Sequence, residues 1–275
     1  MPGSWDIKLE RAKHHLRDFE GRIPAIDERR AYPVREQVEH DGEQDVYVAR
    51  LDIPEPSDPL LPVIAGELMF NLRSALDHLA VAMTAKPNRS TAFPIFTDDI
   101  DARDPGSRKY LHRDARKAWK AMTKGFPEGA MPIVEAAQPY MHRREGRDPQ
   151  HAALALLGSL QNADKHNRLI LVVSGLRNPV VWVNTGRSKK VRISDRRLPE
   201  HRRLAPGTPV RRGPDPLPSE MSMEAEGTLD VMIGDRKRGQ GLSAADPFYA
   251  FPVVFEKMIA DLSGLIRDLR QCAVH

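Results

Sequence analysis

Cysteine is almost missing: Cys272 stands alone, so no disulfide forms within the chain and no zinc ribbon can be built. Long apolar runs are missing too. The stretches 151–163 and 168–176 break well short of the roughly 20 residues a membrane span requires. Met1-Pro2-Gly3-Ser4-Trp5-Asp6-Ile7-Lys8 lacks the basic start and apolar stretch of a signal peptide, from which a cytoplasmic location is expected. There is no Gly-x-x-x-x-Gly-Lys-Ser/Thr loop, no Gly-x-Gly-x-x-Gly opening a helix and no Gly-x-Ser-x-Gly elbow. P-loop, Rossmann and α/β-hydrolase chemistry are therefore disfavoured. Internal repeats and low-complexity tracts are absent as well.

What is present describes a globular chain. With 275 residues, 40% hydrophobic and 29% charged, it can bury a proper core without a metal or disulfide. A single domain over 1–275 is expected, because the first and last helices should pack on the same bundle. The net charge is only +4, yet Arg187 to Arg212 holds ten basic side chains against Asp195 and Glu200, a local excess of eight. Clustered cations of this kind displace counterions from a polyanion, and a solvated loop is the alternative reading.

Apolar periodicity predicts helices over 4–22, 58–86, 107–124, 130–142, 149–164 and 248–272. The stripe Leu61, Ile64, Leu68, Leu72, Ala75, Leu79 and Met83 is the most continuous, with Asp58 as its cap and Pro62 in its first turn. Val34–Val38 and Val46–Leu51 flank Asp41-Gly42-Glu43 and predict a hairpin within 33–52. Arg168–Ser174 and Pro179–Asn184, around Gly175-Leu176-Arg177-Asn178, predict a second within 168–184. Six prolines between 199 and 218 suggest an exposed basic excursion over 186–220, followed by a short strand at 229–233. Phe93-Pro94-Ile95-Phe96 reads as an apolar plug. The expected class is α+β: a helical bundle, with its core at 58–165 plus the terminal helices, carrying an antiparallel sheet of hairpins on one side.

The best helix carries polar residues beside its apolar seam. Glu67, Asn71, Ser74 and His78 recur at steps of four, three and four and share one stripe. Arg73 lies off that line, four residues before Asp77, at the spacing of an intrahelical ion pair. Imidazole can move a proton to or from a ribose 2′-hydroxyl or a leaving 5′-oxygen, and guanidinium can hold a phosphate. Arg73-Ser74-Ala75-Leu76-Asp77-His78 resembles the R-x4–6-H signature of the HEPN superfamily, small helical bundles of which many are metal-independent endoribonucleases. The spacing Arg-x4-His occurs four times, but Arg35/His40, Arg196/His201 and Arg270/His275 fall in a strand, a Pro-rich stretch and a chain end. Arg144-x6-His151 is a second match to the looser form.

That resemblance implies a homodimer with a composite site and no cofactor, acting as a toxin or defence factor with an antitoxin or other protein partner. His78 would serve as general acid or base, Arg73 would bind the scissile phosphate, and Ser74 and Asn71 would assist. RNA backbone would lie on Arg187, Lys189, Lys190, Arg192, Arg196, Arg197, Arg202 and Arg203. Ser74 departs from the Asn, Asp or His that ribonuclease members often carry after the arginine.

Asn162, Asp164, Lys165, His166, Asn167 and Arg168 form a second polar cluster, explained by helix capping or by support of the Arg73/His78 site. Two further readings remain open. One is a non-enzymatic, dimeric helical interaction protein whose basic loop binds nucleic acid or an acidic partner. The other is a metal-dependent enzyme with Glu67, His78, Asp164 and His166 as ligands, though the chain has neither Glu-x-x-His nor His-Glu-x-x-His. His14, His15 and His112 sit among charges and are expected to be solvated. Trp5, Trp119 and Trp182 are assigned to packing.

Overall fold

A computed structural model describes residues 3–22, 29–40, 42, 44–52, 58–103, 109–166, 169–185, 190–192, 203–204, 209–235, 249–251 and 253–273, some of the strand residues by backbone alone. The order is α1 (Ser4–Arg22), β1 (Arg29–His40), β2 (Asp45–Leu51), α2 (Leu60–Met83), α3 (Arg113–Met122), α4 (Met131–Ala136), α5 (Pro139–Arg144) and α6 (Ala153–Lys165). Then follow β3 (Leu169–Asn184), β4 (Lys190–Arg192), β5 (Arg203–Leu204), β6 (Pro209–Gly213), β7 (Ser222–Asp235), β8 (Tyr249–Phe251) and α7 (Val253–Arg270). The protein is α+β, and every strand pairing described is antiparallel.

α2 is the axis of the helical layer. Asp58 accepts the Leu60 N–H at 2.9 Å and so occupies one of the orphan donors of the first turn. Leu68, Met69, Leu72, Ala75, Leu76, Leu79, Ala80 and Met83 are completely buried, because α1, α6, α7 and β3 all pack on this helix. Its buried residues join those of α1, β1, β2, β3, β7 and α7 in one core cluster.

The first hairpin forms as its sequence suggests, Val34 facing Leu51 and His40 facing Asp45, with Gly42 at φ 100° in the turn that a side chain would strain. The second hairpin does not form. Residues 169–184 run as one strand along β7, from Leu169 opposite Asp235 to Asn184 opposite Ser222. The register shifts once between Val173 and Gly175, and again where Asn178 and Pro179 stand against Gly227. The Gly and Asn-Pro that suggest a turn mark bulges instead, and Pro179 loses no ladder bond because it sits in one. β7 is correspondingly a 14-residue central strand rather than a short one at 229–233.

Three further expectations are revised. The helix over 130–142 splits into α4 and α5: Pro139 lacks an N–H, and Gln138 takes the extended conformation (φ −68°, ψ 141°) that residues before proline favour. The excursion over 186–220 is not wholly external, since β4, β5 and β6 join the sheet and β6 pairs with β2. Residues 249–251 form β8 on β7, so the last helix begins at Val253. No helix among the described residues is long and apolar enough to cross a membrane.

Candidate functional site

The Arg73 and Asp77 side chains meet one turn apart on α2. Arg73 Nε donates to Asp77 Oδ2 at 3.0 Å, and Nη2 lies 3.0 Å from Oδ1. Both then grip the backbone of the plug: Arg73 Nη2 donates to the Phe93 carbonyl at 2.9 Å, and the Phe93 N–H donates to Asp77 Oδ1 at 2.9 Å. Gln138 holds the next residues, its amide donating to the Pro94 carbonyl and its oxygen accepting the Phe96 N–H, both at 3.0 Å. The buried Phe93 ring is thereby locked into the core. Nothing in the sequence pattern marks Gln138 for this role, because its partners lie more than forty residues away.

Above this lock, α2 and α6 leave a cleft of about 560 Å³. Its polar lining is Arg73, Ser74 and Asp77 from α2 and Gln161, Asn162 and Lys165 from α6, with Phe70, Ile95 and Gly158 as the apolar part. Ser74, Gln161, Asn162 and Lys165 have no side-chain partner among the described residues, so their donors and acceptors are available. Phe70 is 57% exposed, and the Lys8 ammonium lies 5.4 Å from its ring centroid, adding a second cation at the rim. An exposed phenylalanine off the apolar stripe of α2 is the signal that sequence reading passed over.

The helix separates the two halves of the Arg-x4-His motif. Five residues turn an α-helix by about 500°, which leaves Arg73 and His78 roughly 140° apart around its axis. Arg73 is turned toward Phe93, whereas His78 is exposed and lines no part of the cleft. Asn71 is buried and donates from Nδ2 to the Glu67 carbonyl at 2.8 Å, within its own helix. Of the proposed catalytic group, Arg73 and Ser74 share the cleft and Asn71 and His78 stand outside it.

The supporting cluster divides similarly. Lys165 lines the cleft, and His166 is exposed. Asp164 is pressed onto α2 at Gly66, where a Cβ would come within 2.5 Å of its Oδ1 and force the carboxylate to shift. Burial raises the Asp164 carboxyl above the usual carboxylate range, and no cation among the described residues pairs with it. Glu67 faces α1 instead, its Oε2 3.4 Å from His15 Nδ1. His15 is buried, not solvated, and desolvation lowers its pKa while Glu67 pulls it up. His112 is half-buried, its Nδ1 3.8 Å from Asp98.

Comparison of the chain with family models, curated proteins and solved structures returns no match. The site therefore rests on its own geometry. That geometry does not assemble Glu67, His78, Asp164 and His166 as ligands, and no three His, Cys, Asp or Glu residues among those described converge on a metal position.

In the second motif match, Arg144 is committed to a two-point pair with Asp99, at 2.9 and 2.8 Å. Of the basic segment, Arg187, Lys189, Arg196, Arg197 and Arg202 lie outside the described residues. Lys190 and Arg192 lie in β4 and Arg203 in β5, described by backbone course alone. Arg211 is committed to Glu36 at 2.8 Å, and Arg212 is exposed.

Proposed function

We propose that this protein binds single-stranded RNA along the α2–α6 cleft. The observation that carries the reading is an exposed aromatic ring, Phe70, at the edge of a cleft whose free polar groups are Lys165, Asn162, Gln161 and Ser74. Unpaired bases stack on aromatic side chains, an ammonium group holds the backbone phosphate, and amides and hydroxyls reach base edges and the ribose 2′-OH. The excess of eight positive charges in 187–212 has the sign a polyanion requires. Binding is favoured over cleavage because no imidazole lines the cleft and Arg73 already serves Asp77 and Phe93.

The test is fluorescence anisotropy of a labelled single-stranded RNA titrated with the full chain in EDTA, at two salt concentrations. Phe70→Ala is expected to weaken binding about tenfold, the value of one stacked base. Lys165→Ala is expected to weaken it and to reduce the salt slope by about 1. No binding, or binding indifferent to both substitutions, overturns the proposal. Cleavage of the RNA in EDTA that His78→Ala abolishes would replace it with the ribonuclease reading, in which a homodimer supplies the missing half of each site.

A further inference from the structure

At the opposite end of α6, about 18 Å from Lys165 along the helix, a second cleft of about 600 Å³ opens toward α7. His142, Arg147 and His151 line it from the α5–α6 side, and Lys257 and Asp261 line it from α7. Next to it is an apolar annex of about 200 Å³ walled by Leu156, Val254 and Met258. His151, Ala153, Lys257 and Asp261 border both spaces, so a polar mouth and an apolar annex adjoin.

Several hydrogen-bond donors of the mouth are uncommitted. Asp261 Oδ2 already takes Lys257 Nζ at 2.7 Å, and Asp148 Oδ1 takes the Gln150 N–H at 2.9 Å. Arg147 spends one nitrogen on Glu145. Both imidazoles, two N–H groups of Lys257 and the rest of the Arg147 fork stay uncommitted among the described residues. The mouth thus has spare donors beside an apolar end that a short hydrocarbon fills. Asp148 and Asp261 stand in the same mouth and offset the charges of Arg147 and Lys257, so a dianion is disfavoured and a carboxylate would be held there by hydrogen bonds rather than by a net positive charge.

We propose that this cavity binds a small monocarboxylate, its carboxylate at His151, Lys257 and Arg147 and its apolar body of a few carbons among Leu156, Val254 and Met258. This second site is independent of the RNA proposal, since the two clefts share no residue.

The experiment is isothermal titration of the full chain with acetate, butanoate, hexanoate and octanoate, beside octanol and inorganic phosphate. Affinity is expected to rise by up to about fourfold per added methylene until the annex is full, then level off. Octanol is expected to bind at least about tenfold more weakly than octanoate, because it carries no charge to meet the donors. Ala153→Leu, which narrows the annex, and Lys257→Glu, which reverses the head site, should each weaken hexanoate about tenfold. Both positions are at least partly exposed, and a thermal melt checks that the variants stay folded. The proposal is overturned by no saturable binding, by no gain along the series, by octanol or phosphate binding as well as hexanoate, or by binding that ignores both variants. RNA anisotropy unchanged in the same variants keeps its failure separate from that of the RNA reading.

Discussion

Arg73 and Asp77 are bonded to each other at two points, and each also bonds one backbone group of Phe93. A pair at the i, i+4 spacing of an ordinary surface bridge has become the clamp for a buried connection. Asp77→Ala would leave the Phe93 N–H without its acceptor and the Arg73 guanidinium with only the Phe93 carbonyl. It is expected to cost about 2 kcal/mol in urea unfolding. Arg73→Ala should cost a similar amount, and the double variant should cost less than the sum, since the partners act as one unit. Any loss of RNA binding in Arg73→Ala has to be read after correction for that loss of stability.

Stability is expected to fall in mild acid through His15. Its folded pKa lies below the unfolded value of 6.5, so the unfolded chain binds more protons between the two. The contribution is complete above pH 6.5 and is lost as pH falls through the lowered value. Urea titrations from pH 8 to 5 should show the slope, and His15→Gln should flatten it. Glu67→Gln removes an attraction that favours protonation, so it should steepen the acid loss.

Gly66 and Asp164 make a coupled pair. Alanine in place of a helix-interior glycine ordinarily gains about 1 kcal/mol, but here its Cβ meets the Asp164 carboxylate. Gly66→Ala is expected to be destabilising alone and stabilising in an Asp164→Ala background. Asp164→Ala by itself should stabilise the protein at neutral pH. Its folded pKa is raised, so the carboxyl favours the fold only in acid and opposes it once ionised. A double-mutant cycle by thermal unfolding at pH 7 measures both effects.

The Tyr140 hydroxyl is buried and has no hydrogen-bond partner among the described residues, and burial, reinforced by Glu135, pushes its pKa up to about 12. Removing that oxygen deletes an unsatisfied polar atom without opening a large void. Tyr140→Phe is expected to stabilise the protein by about 1 kcal/mol, a rise of roughly 2 °C in Tm. A lower Tm would show that the hydroxyl is bonded after all.

Local chemistry made much of this architecture legible. The apolar stripe of α2, the Asp58 bond to its first turn, the Gly42 hairpin and the buried Phe93 follow from periodicity and turn chemistry, which act over a few residues. The Arg73–Asp77 pair was readable for the same reason. What the sequence could not decide was any pairing across distance. Gly175 and Asn178-Pro179 look the same in a turn as in two bulges, and only the presence of β7 alongside makes them bulges. Likewise Arg73 and His78 are neighbours in sequence but diverge around the helix, whereas Arg73 and Lys165 line one cleft because α6 packs on α2. Packing decided which polar groups share a cleft, because burial and proximity are properties of the assembled core and not of any one segment.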